Sequence, residues 1–209
     1  MKHLLLSSLL VLLLGGCTLC HYDRLKEVVS NSPAPKPIFG DNFNSFLFKT
    51  NISIYGKEVS GLLVTKQMAP ADYRVIFTTE LGLKLFDFEF KDTSFTLHYC
   101  VPQFNRPKLL KTIQQDIEIL LMSNLDGKPL KNMEDKKGLF TVQQIKMGNF
   151  QNYYFTEKAS HHIVKIEHSK KRAVKVLMEL SEYKDDFPNK VFILHSDINL
   201  HIELHLLKK

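Results

Sequence analysis

Tyr73-Arg74-Val75-Ile76-Phe77-Thr78-Thr79-Glu80-Leu81-Gly82-Leu83-Lys84-Leu85-Phe86-Asp87-Phe88-Glu89-Phe90 decides the fold. Tyr73, Val75 and Phe77 alternate with Arg74, Ile76 and Thr78, the period of a β-strand. A short polar turn with one glycine follows. Leu83 and Leu85 then share one parity, and Phe86, Phe88 and Phe90 take the other. A slip of one residue in a period-two pattern predicts a β-bulge near Leu85 and Phe86. Asp87 and Glu89 fall opposite the phenylalanines and are expected to face outward. The stretch reads as an antiparallel hairpin with one apolar face.

The same period runs outward in both directions. Phe46, Phe48, Ile52 and Ile54 line one face of a strand, and Tyr55-Gly56-Lys57 turns the chain into Val59–Thr65. Phe95, Leu97 and Tyr99 make a further strand after Phe90. Then the period changes. Pro107 suits a helix start, where its missing N–H is no loss. Leu109, Leu110, Ile113, Ile117, Leu120 and Leu121 form one helical stripe. Strands return at 139–145, 152–156, 162–167, 173–180 and 191–194. From Ile198 to Leu206 apolar residues alternate with Asn199, His201, Glu203 and His205. The order predicts a mainly β, α+β protein: a strongly curved antiparallel sheet of roughly ten strands embracing a helix.

The N-terminus has another character. Met1-Lys2-His3 is positive, and Leu4–Leu14 is apolar except for Ser7 and Ser8. Eleven residues are too few to span a bilayer but suit a signal-peptide core. The core ends in Leu14-Gly15-Gly16-Cys17, which resembles the lipobox of bacterial lipoproteins. That resemblance implies a signal peptide over 1–16, lipidation of Cys17 and a mature chain that starts there. Residues 17–42, with Pro33, Pro35 and Pro37 in alternation, predict a flexible tether. Leu25–Val29 is a candidate short helix within it. The body is expected over 43–209. Cys20 and Cys100 remain as two thiols whose pairing the sequence leaves open.

Tyr73–Gly82 resembles a motif of the outer-membrane lipoprotein receptor LolB family: a Tyr-Arg-aliphatic strand running into Thr-x-x-Leu-Gly, followed by a Leu-rich strand. The order of tether, helix and closing alternating strand resembles that family over residues 43–209. The resemblance implies a half-open β-barrel capped by helices, of the LolA/LolB type. It implies an apolar cavity for the acyl chains of lipoproteins, received from a LolA-like periplasmic carrier and passed to outer-membrane lipid. It also implies a membrane-insertion loop at Leu81 and Gly82, although Glu80 stands where the family often has Pro. Phe46, Phe48, Phe77, Phe86, Phe88, Phe90, Leu97 and Tyr99 are the expected cavity lining. A filled barrel is the plainer account of so many large rings.

Composition weighs against other functions. The chain has 209 residues, 44% hydrophobic and 24% charged, with 15 Phe, 7 Tyr and no Trp. Its net charge of +6 is spread along the chain, with no dense basic block for nucleic acid. His201, Glu203 and His205 share a strand face, but the outer pair stand ~13.5 Å apart, too far for one zinc. No G-x-S-x-G, Walker or dinucleotide motif occurs. Lys170-Lys171-Arg172 reads as a solvated basic turn. The expectation is a non-enzymatic, monomeric protein needing no cofactor or metal, lipid-anchored in the outer membrane and facing the periplasm. Two other classes compete: an assembly lipoprotein with a filled barrel, and a sugar- or metal-capturing surface lipoprotein. No acidic run follows Cys17, which favours the periplasmic side.

Overall fold

The structure, a computed structural model, describes residues 25–29, 34–40, 43–123, 125 and 127–209. The expected signal peptide, the lipidation site Cys17 and Cys20 lie outside the described residues.

Thirteen strands and one α-helix make up the described chain. In order they are β1 (Leu25–Glu27), β2 (Ser45–Ile54), β3 (Lys57–Ala69), β4 (Asp72–Thr78), β5 (Lys84–Lys91), β6 (Ser94–Cys100), α1 (Pro107–Leu120), β7 (Leu130–Asp135), β8 (Phe140–Met147), β9 (Phe150–Glu157), β10 (Ile163–Lys170), β11 (Ala173–Lys184), β12 (Phe187–His195) and β13 (Leu200–Lys208). All belong to one antiparallel sheet, ordered β1-β7-β8-β9-β10-β11-β12-β13-β2-β3-β4-β5-β6. β1 and β6 are its two free edges, so the sheet does not close. Nearly every neighbour in the sheet is also a neighbour in sequence, because tight hairpins connect them. Tyr55-Gly56 and Lys171-Arg172 have positive φ at both turn positions, the twist that matches flanking strands.

One face of the sheet curls around a single core, to which residues from β2 to β13 and α1 all contribute. The bulge falls where the parity slip predicts it. Phe77 pairs with Phe86 and Thr78 with Lys84, which leaves Leu85 without a partner. Both Leu85 and Phe86 are therefore buried. Asp87 corrects an expectation: it lies on the outer face but is 2% exposed, covered by Arg74 and Lys84, which both pair with it.

Two corrections concern the N-terminal stretch. Leu25–Glu27 is a strand on β7, not a helix. Residues 34–40 are a strap packed on the body, with Ile38 and Phe39 buried in the core. The described parts of the expected tether are thus held by the body.

The hairpin register divides the molecule into two ends. The strap lies at the end that carries the turns at 136–139, 158–162 and 185–186. There Phe39 packs on Phe46 at 4.7 Å, Phe46 on Phe187 at 5.4 Å, and Phe43 on Tyr73 at 5.8 Å. Helix α1 lies at the other end. It begins at Pro107 with no side-chain cap. Its apolar face buries Leu109, Ile113 and Ile117, and Leu109 and Ile113 face Ile52, Ile54 and Phe86.

Candidate functional site

The phenylalanine wall is packed. Phe46, Phe48, Phe77, Phe86, Phe88 and Phe90 are all buried. Phe86 stacks on Phe88 at 4.4 Å and meets Phe77 at 5.3 Å. Where this wall meets α1, among Ile52, Ile54, Phe86, Phe104, Leu109 and Ile113, no space remains for a water-sized molecule. Leu97 and Tyr99 do not join it. They are 36% and 43% exposed, because β6 is an edge strand with nothing beyond it. Tyr99 moreover pairs with Asp87 across a second irregularity, between Asp87 and Phe88.

Open space lies across the sheet, at the strap end. A cavity of about 780 Å3 is bounded by Pro35, Pro37 and Ile38 on one side and by β7 to β12 on the other. Ile163, Tyr183 and Phe187 give it an apolar floor, and Thr141, Gln143 and Thr156 a polar wall. His162 stacks on Tyr183 at 4.1 Å, and its Nε2 meets Asp186 Oδ1 at 3.0 Å. The Tyr183 hydroxyl donates to the Ile163 carbonyl. Burial pushes that phenol well above its usual range, so it stays a neutral donor. The alternating prolines give the strap few backbone N–H groups to bond, so it leans on the cavity without joining the sheet.

The loop between β4 and β5 presents Leu81 outward. The side chain is 98% exposed, Leu83 is 62% exposed, and neither is tucked under the hairpin. The loop is nonetheless well bonded. Thr79 N donates to Leu83 O at 2.8 Å, Gly82 N to Thr79 O at 2.9 Å, and Leu83 N to Thr79 Oγ1 at 3.1 Å. Gly82 takes φ +85°, a conformation that other residues reach only with strain. Glu80 is held aside by Lys49 at 3.3 Å. The tip stands at the helix end of the sheet, opposite the cavity.

A buried polar cluster ties α1 to the sheet, and the apolar pattern gave no sign of it. Asp116 Oδ2 meets His195 Nε2 at 2.9 Å, both side chains almost fully buried. Burial pushes the Asp116 carboxyl up, against the pull of His195. Beside them His168 Nδ1 meets Asn152 Oδ1 at 2.6 Å and His168 Nε2 meets the Gln115 amide nitrogen at 2.6 Å. The Asn152 amide donates to the Tyr154 hydroxyl, so its oxygen must accept from His168 Nδ1–H. The imidazole is therefore neutral, with Nε2 as acceptor. Burial, and then the charge of His195, push its pKa down to about 4. On the outer face Glu203 is shared by Lys190 at 2.8 Å and His205 at 3.1 Å. Among the described residues no three His, Cys, Asp or Glu side chains converge as metal ligands. Cys100 has no disulfide partner among the described residues, and burial raises its thiol pKa.

Among the described residues, an open antiparallel sheet curls around one helix, with a cavity under a strap. No protein-family model and no curated protein matches this chain by sequence. Among solved structures it is similar to a LolA superfamily protein from Nitrosomonas europaea. The TM-score is 0.53 at 7% identity, over 80% of this chain and 87% of that one. It is also similar to an outer membrane lipoprotein-sorting protein domain from Vibrio parahaemolyticus. There the TM-score is 0.53 at 10% identity, over 80% of this chain and 85% of that one. At these identities the likeness is one of fold: the chain has a LolA-like fold.

Proposed function

We propose that this chain is a non-enzymatic lipoprotein that accepts acylated lipoproteins from a LolA-like periplasmic carrier and releases them into the outer membrane. The single observation that carries this reading is the cavity of about 780 Å3 inside a LolA-like fold, closed on one side only by a strap. Its size lies within the range of small-molecule sites. The acyl chains would lie on Ile163, Tyr183 and Phe187, with the polar ester end on Thr141, Gln143 and Thr156. Displacing the strap opens the site. Each methylene that the cavity leaves in contact with water and a bilayer covers is worth ~0.8 kcal/mol, and that difference drives release without a nucleotide. In this reading the sheet acts as a half-open barrel, α1 stoppers one end, and the stacked phenylalanines form a rigid back wall. Lipid on Cys17 holds the protein at the outer membrane. The Leu81–Gly82 tip makes the lipid contact during release.

The packed wall favours a second reading, an assembly lipoprotein that acts through its surface. One experiment separates the two. The chain from residue 21 is mixed with a carrier bearing a fluorescent acylated lipoprotein, and vesicles are then added. Wild type is expected to capture the cargo. Thr156→Trp, which puts an indole into the cavity, is expected to capture poorly. Leu81→Glu is expected to capture normally and release slowly. No capture by the wild type would sink the transfer reading and leave the assembly reading.

A further inference from the structure

We infer that the tip of the β7–β8 hairpin, Lys136-Lys137-Gly138-Leu139, is a docking surface for the anionic bilayer that carries the protein's own lipid anchor. The inference rests on the proposed lipidation of Cys17. Three observations converge on this tip.

The first is where the anchored segment joins the body. Leu25 pairs with Asp135, the last residue before the tip, and the chain runs from there down the edge of β7. Eight residue steps separate Cys17 from Leu25, a reach of at most roughly 28 Å. The bilayer is thus kept close to this end of the sheet. The opposite end lies about 27 Å away along the sheet, the length of the eight-residue strand β8.

The second is chemistry. Lys136 and Lys137 are exposed, and among the described residues neither ammonium has an ion-pair partner. Leu139 beside them is 54% exposed. Two unpaired cations beside an outward leucine complement an anionic headgroup layer over an apolar interior.

The third is rigidity. Asp135 fixes the turn from inside: its carboxylate accepts from Lys137 N at 3.1 Å and from Phe140 N at 2.7 Å, and its carbonyl accepts from Gly138 N at 2.9 Å. The Leu139 carbonyl accepts from Lys158 N at 3.0 Å. The tip is therefore presented without ordering cost on contact.

Two consequences follow. The strap and the cavity share this end with the tip, so docking of the tip brings the cavity to the membrane side. Leu81 stands at the far end in the resting protein. It reaches the same bilayer only after the docked tip lifts and the body turns.

The chain has no Trp, so single-Trp variants give an unmixed signal. The mature lipidated protein is reconstituted with vesicles of phosphatidylcholine and phosphatidylglycerol, with or without a brominated lipid. Flotation reports the anchor. Leu139→Trp is expected to float, to shift its emission to the blue and to lose emission to the brominated lipid. Leu81→Trp is expected to float with unquenched emission. Adding Lys136→Glu and Lys137→Glu to Leu139→Trp is expected to restore emission without loss of flotation. Each lysine near an anionic surface changes occupancy roughly fivefold. Floating protein with unquenched Leu139→Trp, or with Leu81→Trp quenched in its place, overturns the docking surface and leaves the anchor standing. Protein that does not float overturns the Cys17 reading, and the docking surface with it.

Discussion

At Gly61 the backbone of β3 comes so close to the end of β4 that a side chain has no room. A Cβ there would run into the Thr78 carbonyl and lie 2.9 Å from Phe77 Cε2. The ring of Phe77 fills the space that a side chain would need, and it is itself fully buried. Gly61→Ala must push the base of the Leu81 hairpin away. A loss of about 2 kcal/mol, read from the urea midpoint, is expected for this overpacking. His168 carries a different residue-scale consequence. Its imidazole is neutral in the fold with a pKa of about 4, whereas the ordinary value is 6.5. The unfolded chain therefore binds the proton first as pH falls. Stability from this group is complete above about 6.5 and is lost progressively toward pH 4. Urea unfolding across that window should show the loss, and His168→Gln should flatten it. Asp87 acts lower. Burial raises its pKa, but Arg74 and Lys84 overcome that and hold it below 3.8, so its contribution fades only in stronger acid.

Helix α1 illustrates what one element demands of its neighbours. Its apolar stripe follows from the sequence, but Asp116 lies on the buried side and needs His195 across the interior. Removing one partner of a buried pair leaves the other uncompensated. Asp116→Ala should cost about 3 kcal/mol, and Asp116→Leu with His195→Leu should cost less than either single change. A double-mutant cycle by urea unfolding checks this. The sheet edges show the opposite case. β1 and β6 each pair on one side only, and their side chains are mostly exposed. Exposure of Leu97 and Tyr99 is thus a property of position, and their alternation alone could not reveal it.

For the whole molecule, the two ends are closed differently. At one end α1 fills the interior, and at the other the strap covers a cavity. Phe39 fastens the strap, packing on Phe46 and, at 5.9 Å, on Phe48. Phe39→Ala is expected to cost about 3 kcal/mol. It should also make the strap the first segment cut in limited proteolysis, while Leu81→Ser leaves the unfolding midpoint within about 0.5 kcal/mol. Much of this architecture was legible in the chain. Period-two alternation and the slip at Leu85 gave the hairpins and their bulge, and the 107–121 stripe gave the helix. β7, reading Leu-Lys-Asn-Met-Glu-Asp, was not legible: its pattern is polar because it lies near an edge with its sides half-exposed. β1 was not legible either, since three residues carry no period.

By itself the sequence determined which residues face inward on β2, β4, β5 and β13, because alternation is a local property of the pleated backbone. It also set where the chain turns and where the period changes to helical. Only the tertiary structure decided where the space is. Eight aromatic and aliphatic positions were cavity lining by resemblance and core by the plainer account. Packing density depends on which rings meet across the fold, and no pattern along one strand records that. The stacked phenylalanines filled their side, and the cavity was left where an apolar floor and a polar wall face the proline strap.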